Sequence, residues 1–233
     1  MGYLFAQSLR SVGVNAVALS EKPRRLRRLA PYDVYYWDNN SIIKKYVEDS
    51  DTIVWMHSKF IDIRKYVSSI KGKRLAVFHG GSAYRNDPEG KNKIFNPRVF
   101  VSLIQTSNML DLGAKNQKWM LPPVDTNLIK PNYPSRDKPY SEDQKVVIGH
   151  YPSDPAAKSS SKINEVMKIL KRDPEVCNLF TYDYSRELVS WSDNLNRIRR
   201  CDIYVESLSK EIKGKITDDW GVTALEAASA GCV

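Results

Sequence analysis

At 233 residues with 42% apolar content, the chain is long enough for one large globular domain or two small ones. Its 36 Lys and Arg against 27 Asp and Glu give a formal charge of +9, which favours anionic partners such as nucleotides, phosphorylated substrates, nucleic acid or acidic lipid. Three widely spaced cysteines without a CxxC pair encode neither a disulfide framework nor a zinc site, and no apolar run is long enough to span a bilayer. We therefore expect a cytoplasmic protein, either soluble or in peripheral contact with an anionic membrane.

Short apolar runs rich in β-branched and aromatic residues alternate with segments of helical spacing in the first half of the chain. After a helical pattern at 1–14, strands are predicted at 14–20, 32–38, 52–58, 74–80 and 98–107. A helix is predicted at 41–50, where Ile42, Tyr46 and Val47 share one face. Strands that are apolar on both faces and separated by helices indicate a parallel sheet covered on each side, which is a doubly wound α/β pattern.

A proline-rich segment interrupts this alternation. Residues 121–144 contain five of the twelve prolines and many charges, a composition typical of a linker. The alternation then resumes, with strands predicted at 145–153, 176–183 and 201–207 and helices at 161–173, 187–200 and 220–231. We predict an N-terminal domain over 1–126, a linker over 127–144 and a C-terminal domain over 145–233, with a ligand cleft between the two domains.

Both ends of the chain look incomplete. A doubly wound domain normally opens with a strand, whereas this chain opens with a helical pattern. At the other end, Gly231 is a typical helix stop and Cys232–Val233 would begin a further buried strand. The expectation is a chain that lacks its first strand and its last elements.

A single acid in the last predicted helix raises the question of function. No Lys or Arg lies one helical turn from Glu226, so the helix itself offers this glutamate no partner. Glu226 is either ordinary, exposed helix filler or a ligand-facing carboxylate, whose two oxygens suit a pair of hydroxyls. Asp218 stands eight residues earlier, and Gly221 lies at the amino end of the helix, a region that attracts phosphate. These two neighbours favour the ligand-facing alternative.

The stretch DDWGVTALEAASAG resembles the acidic signature of GT-B glycosyltransferases of the family 4 type, an acid, seven residues and a glutamate. Here the first acid is Asp218, and Trp220 stands at the aromatic position. Other stretches resemble the family in the same order along the chain: HGGSAYR the acceptor-side loop, LPPVDTNLIKP the entry to the linker, VIGHYPSDPAAKSSSKI the first strand and loop of the donor domain, and CDIYVESL the strand before the signature. The resemblance implies two Rossmann-like domains facing a cleft.

The resemblance also implies the reaction, which is transfer of a sugar from a nucleotide-sugar to an acceptor hydroxyl, with retention and without a metal or other cofactor. The expected partners are the nucleotide-sugar donor and a glycan, lipid-linked or small-molecule acceptor. Asp218 and His79 match the family's residues near the transferred sugar, and they are the predicted catalytic residues. Glu226 matches the glutamate that holds the ribose hydroxyls. The predicted donor-binding residues are Glu226, Lys158, Gly221, Trp220 and Ser153, and the predicted acceptor-side residues are Arg85 and Gly2.

Each of these roles has a structural alternative. Lys158, which matches the base that offsets the diphosphate charge, could simply be solvated in its loop. His79 and His57 end apolar strands, where structural histidines are common. Arg85 lies in the turn-rich stretch YRNDPEG, where an exposed arginine is common. The basic run at 23–32 is either a solvated face or a contact for anionic lipid.

Two further sequence features favour other functions, but only weakly. Asp49-Ser50-Asp51 has the DxD form of metal-dependent GT-A glycosyltransferases, but it precedes a predicted strand instead of following one, so no metal site is predicted. A nucleic-acid protein is suggested only by charge and lacks an interleaved aromatic and basic motif, so no nucleic-acid partner is expected. A truncated, inactive GT-B fragment that serves as a binding module stays open as the alternative function.

Overall fold

The computed structural model describes residues 2–20, 34–36, 40–56, 70–131, 144–156, 158–208, 211–212, 215–216 and 221–233. Contacts between residues divide the chain into two compact units. The first unit contains the described residues up to 123, and the second contains those from 124 onward. Several sequence predictions fall outside the described residues: His57, Asp218, Trp220, the basic run at 23–32 and most of the linker.

The first unit is built around parallel strands. Its elements are α1 (Gly2–Ser11), β1 (Ala18–Ser20), β2 (Val34–Tyr36), α2 (Asn40–Asp49), β3 (Thr52–Met56), β4 (Arg74–His79), α3 (Ser82–Asn86), α4 (Pro88–Phe95), β5 (Val101–Ile104) and β6 (Gln117–Trp119). β1 pairs with β2, and a second sheet has the order β3-β4-β5-β6, with every pair parallel. Strands β1 to β5 lie inside the predicted strand ranges, whereas β6 was not predicted.

Strand β4 forms the centre of the first unit. Residues 75–79 are all buried, as expected for a strand covered on both faces. Leu75 and Val77 pack against Trp55 of β3, Phe95 of α4 and Val99. The continuous apolar run that predicted this strand therefore reflects its central place in a parallel sheet.

The segment after β4 corrects the sequence prediction. Arg85 was expected in a turn-rich stretch, but the structure places it on the short helix α3, half-buried, and α4 follows at once. Asp87 caps α4, because its side chain accepts a hydrogen bond from the Gly90 amide at 3.0 Å, and Pro88 occupies the first helical position. A capping acid followed by proline is a helix start as well as a turn signal, and here the helix forms.

The second unit contains a three-stranded parallel sheet and a short antiparallel pair. Its elements are β7 (Val146–His150), α5 (Ser160–Leu170), β8 (Phe180–Tyr184), α6 (Trp191–Ile198), β9 (Ile203–Tyr204), β10 (Glu211–Ile212), β11 (Lys215–Ile216) and α7 (Val222–Ser229). The sheet order is β8-β7-β9, and β10 pairs with β11. The predicted strand at Cys232–Val233 is not assigned as a strand, although the Val233 backbone bonds to Asp202 and Tyr204 at 2.9 and 3.1 Å.

Helices cover both faces of the sheet in the second unit. Ile148 of β7 and Phe180 of β8 pack against Ile163 and Met167, which lie one turn apart on α5. Val147, whose side chain points to the opposite face, contacts a cluster contributed largely by α6 and α7, including Trp191, Leu195, Ile198 and Ala227. The protein is therefore a mixed α/β protein with parallel sheets, as predicted. Within the described ranges, no helix is long and apolar enough to cross a membrane.

Candidate functional site

The candidate site lies at the edge of the second unit's sheet where the parallel strands end, here called the carboxyl edge. β7, β8 and β9 run in the same direction and end at His150, Tyr184 and Tyr204, so the segments that follow them, 151–159, 185–190 and 205–208, leave from one edge. Segments that follow parallel strands are where such sheets commonly bind ligands.

An ion pair lies at this edge against the amino end of α7. The ammonium of Lys158 binds the carboxylate of Glu206, and both side chains are mostly buried, with 28% and 15% of their surface exposed. A Cβ built on Gly221 would overlap Glu206 Oε1 and would lie 3.2 Å from Lys158 Nζ. The backbone at the start of α7 therefore approaches this pair more closely than any residue with a side chain would allow.

The structure thus brings together two predicted donor-binding residues, Lys158 and Gly221, and adds one that the sequence analysis missed. Glu206 is the second residue after β9 at the carboxyl edge, a position that could have marked it as a candidate. The first backbone N–H groups of α7 have no acceptor within the helix and carry partial positive charge. A cation and a helix amino end in contact with one carboxylate form an anion-binding arrangement, and the anion is the Glu206 side chain.

Glu226 is buried, with only 3% of its surface exposed. Its Oε1 accepts a hydrogen bond from the indole N–H of Trp191 at 2.8 Å. The alternative that Glu226 is exposed helix filler is therefore wrong. Burial raises the pKa of the Tyr204 phenol, and the charges of Glu206 and Glu226 raise it further, so both carboxylates act on one side chain at the carboxyl edge.

The partner of Glu226 was missed because no local pattern identifies it. Trp191 is the first residue of α6, after Ser190, whose side chain accepts from the Asp193 amide at 3.2 Å. It lies 35 positions from Glu226 in the sequence. Only packing of α6 against α7 brings the indole to the carboxylate, and a single sequence carries no signal of that contact.

A small cavity of about 90 Å³ opens beside Trp191. Its walls are residues 151–153 after β7, residues 187–191 after β8, and Asn194 of α6. Ser153, a predicted donor-binding residue, lines this cavity. The cavity therefore connects Ser153 with the tryptophan that binds Glu226.

His150 ends β7 and links two parts of the carboxyl edge. Its Nδ1 lies 2.7 Å from the Val205 carbonyl oxygen, and its Nε2 lies 2.8 Å from the Ser160 hydroxyl. The ring is fully buried, and it stacks on Tyr184 with 5.7 Å between ring centroids. Burial lowers the pKa of His150.

The predicted residues of the first unit have a different environment. His79 is fully buried at the end of β4, where its ring stacks on Tyr84 at 3.9 Å and meets the edge of Phe95 at 5.7 Å. Neither ring nitrogen has a hydrogen-bond partner among the described residues. Burial, with the charge of Lys91, lowers the pKa of His79 to about 4. Gly2 begins α1, and a Cβ on it would lie 3.8 Å from Met56.

The DxD pattern lies where its sequence position predicts. Asp49 is the last residue of α2 and Asp51 precedes β3, at the strand's amino end. In the part of the chain that the structure describes, no three His, Cys, Asp or Glu side chains form a group that could hold a metal ion.

Comparison with known proteins assigns no family. No family model and no solved structure matches the chain. Among curated proteins, the vacuolar protein-sorting protein BRO1 of Kluyveromyces lactis is similar to part of it, with 27% identity over 84 residues, 36% of this chain. The matched segment spans 10% of the length of that protein.

Proposed function

We propose that this protein is a GT-B glycosyltransferase that moves a sugar from a nucleotide-sugar to an acceptor hydroxyl, with retention and without a metal ion. In this proposal the two units are Rossmann-like domains, and the second unit binds the donor. One observation carries the proposal: Lys158 lies against Gly221 at the amino end of α7, and the same helix carries the buried Glu226.

The proposed diphosphate site is the place of the Glu206 carboxylate, beside Lys158 and Gly221. Lys158 and the amino end of α7 supply the positive charge that a departing diphosphate needs. Phosphate oxygens would replace the Glu206 carboxylate as partners of the ammonium. Binding then exchanges one anion for another, so the ammonium of Lys158 is not left without a counter-charge.

The proposed ribose site is Glu226. The Trp191 indole fixes one carboxylate oxygen at 2.8 Å, which would orient the group towards a pair of donating hydroxyls. The adjoining cavity is about 90 Å³, smaller than the roughly 300–1,000 Å³ of typical ligand pockets. Donor binding therefore requires the segments at 151–153 and 187–191 to move apart.

The reaction itself is a substitution at the anomeric carbon. A bond forms from the acceptor oxygen to the anomeric carbon, and the bond from that carbon to the diphosphate oxygen breaks. The electron pair leaves with the diphosphate, which also receives the acceptor proton. The family resemblance assigns Asp218 and His79 to the sugar and Arg85 and Gly2 to the acceptor side. A direct sugar contact by His79 would require its buried ring to become exposed.

A binding module that transfers nothing is the second candidate. The two charged groups that are proposed to bind the donor have partners within the protein: Lys158 binds Glu206, and Glu226 binds Trp191. Residues with internal partners can hold a fold together without catalysing a reaction. This candidate predicts nucleotide binding without release of product when acceptors are added.

A thermal-shift screen with UDP-, GDP- and ADP-sugars tests donor binding. A ligand at about one hundred times its Kd stabilises the folded state by about 2.7 kcal/mol, which is readily detected as a rise in Tm. We expect one nucleotide class to raise the Tm. The variant Glu226→Gln should weaken binding of that donor by about tenfold or more, because a charge-assisted hydrogen bond is lost.

Glu175→Gln is the matched control, since Glu175 is an exposed acid of the same unit outside the carboxyl edge and the charge change is the same. Its donor affinity should equal that of the wild type. Equal affinity in both variants would remove the proposed role of Glu226, and no shift with any donor would reject the transferase.

A further inference from the structure

The ion pair of Lys158 and Glu206 joins side chains from two segments at the carboxyl edge. Lys158 lies in the segment between β7 and α5, whereas Glu206 follows β9. Connecting segments of this kind are usually more mobile than the strands that precede them. The pair keeps its place against α7 only if contacts from the sheet fix both segments.

His150 is hydrogen-bonded beside both segments from a place within the sheet. It is the last residue of the central strand β7 and is fully buried. One side of its ring bonds to Val205, the residue immediately before Glu206. The other side bonds to Ser160, the first residue of α5 and two positions after Lys158.

The two bonds determine which nitrogen carries the proton. A backbone carbonyl can only accept, so Nδ1 donates to Val205 O. Nε2 therefore accepts from the hydroxyl of Ser160 in the neutral ring. A neutral imidazole is also the form that a buried site favours. The ring thus forms one hydrogen bond beside the segment that carries Glu206 and another beside the segment that carries Lys158.

We propose that His150 is a positioning residue that holds the Lys158–Glu206 pair at the amino end of α7, in the place where an anionic ligand is to be received. The inference rests on the proposed function for the identity of the ligand, a nucleoside diphosphate. The positioning of the pair is a property of the free chain, so the two proposals can fail separately.

Acylation of lysines in the full-length chain tests the positioning directly. Mild treatment with acetic anhydride followed by peptide mass spectrometry reports how accessible each amine is. Lys162, exposed on α5 four positions after Lys158, provides an internal reference. Because the Lys158 ammonium is held by Glu206, its labelling relative to Lys162 should be low in the wild type.

Two variants remove the same hydrogen bond from opposite ends. His150→Asn keeps an amide N–H near the Nδ1 position for Val205 but no longer reaches Ser160, and Ser160→Ala removes the hydroxyl. Loss of one such bond is worth about 1 kcal/mol, so the relative labelling of Lys158 should rise roughly threefold to tenfold in each variant. The double variant should show no further rise, because both changes break one contact.

Tyr182→Phe is the control. It removes a 2.8 Å bond between Tyr182 of β8 and Asn164 of α5, which joins a strand of the same sheet to the same helix without touching the ion pair. In this variant, the labelling of Lys158 relative to Lys162 should stay at the wild-type value. If His150→Asn does not fold, Ser160→Ala alone decides. Wild-type labelling in Ser160→Ala, or an equal rise in Tyr182→Phe, would overturn the positioning role.

Titration with UDP, GDP and ADP measures nucleotide affinity independently of the labelling. The nucleotide that binds should lose affinity severalfold in His150→Asn, and Lys158→Met combined with His150→Asn should lose no more than Lys158→Met alone. If none of the three nucleotides binds the wild type, the proposed function fails. The labelling experiment still decides whether His150 positions the ion pair.

Discussion

Two buried histidines occupy the same place in the two larger parallel sheets but have opposite surroundings. His79 ends β4, His150 ends β7, and each is fully buried at the carboxyl end of an inner strand. The ring of His79 is packed against Tyr84 and Phe95 and finds no hydrogen-bond partner among the described residues. The ring of His150 makes a hydrogen bond with each nitrogen.

The difference shows that position on a strand does not by itself identify a functional histidine. Burial lowers the pKa of both rings. The hydrogen bonds of His150 go to Val205, which adjoins Glu206, and to Ser160, which lies two positions after Lys158. The family resemblance points to His79, whereas no sequence pattern points to His150. The contacts at the carboxyl edge make His150 the better-supported candidate for a role in the proposed ligand site.

The largest expected effect is the loss of the His150 bonds. His150→Leu is close in volume but leaves the half-buried Val205 carbonyl and the buried Ser160 hydroxyl without the ring. Each orphaned group costs about 1–3 kcal/mol, so the free energy of unfolding should fall by about 2–6 kcal/mol. Urea unfolding monitored by hydrogen exchange of the β7 amides measures this loss. A change below about 1 kcal/mol would show that the two bonds contribute little.

The second prediction concerns acid and the histidine of the first unit. The pKa of His79 is about 4 in the folded chain against 6.5 for an ordinary histidine. Below the ordinary pKa the unfolded chain binds a proton that the folded chain refuses. Protonation of His79 therefore does not affect the free energy of unfolding above about pH 6.5. As the pH falls from there towards 4, the free energy of unfolding decreases by about 3 kcal/mol in total.

His79→Leu separates this effect from that of His150, whose lowered pKa acts in the same direction. Near pH 7 the variant should lie within about 1 kcal/mol of the wild type, because leucine suits an apolar site. Towards pH 4 the variant should become the more stable of the two proteins, because it has no ring that is protonated in the unfolded chain and neutral in the folded chain. Parallel pH curves for the two proteins would contradict the burial of His79 in an apolar site.

The smallest expected change in stability concerns the bond between α6 and α7. Trp191→Phe keeps an aromatic ring in the core but removes the indole N–H that binds the buried Glu226. The free energy of unfolding should fall by about 1–3 kcal/mol. Pairing the variant with Glu226→Gln in a double-mutant cycle shows how much of the loss belongs to this contact. Purely additive losses would show no coupling between the two side chains.

Sequence patterns predicted the core strands better than the site. The apolar runs of β4 and β7 are visible because a central parallel strand is apolar on both faces. Helix α4 was missed because Asp87-Pro88 serves as a turn signal and as a helix start alike. Gly221 and Lys158 were selected by resemblance to a motif, and the structure shows them in contact with the same carboxylate, that of Glu206.

The contacts that complete the candidate site could not be predicted from local sequence. α7 is rich in small residues, so its pattern did not reveal whether Glu226 points inwards. Trp191 and Glu206 reach their partners across 35 and 48 sequence positions, through packing of helices and strands. Such long-range contacts leave no periodic signal in a single sequence.

The most direct test of the account is calorimetric titration of the wild type, Lys158→Met and Lys162→Met with UDP-, GDP- and ADP-sugars. We predict that one donor binds, that Lys158→Met weakens it by about tenfold to a hundredfold, and that Lys162→Met leaves it unchanged, because only Lys158 faces the amino end of α7. Absence of binding by every donor, or equal affinity in all three proteins, would contradict the assignment of the carboxyl edge as a nucleotide-sugar site.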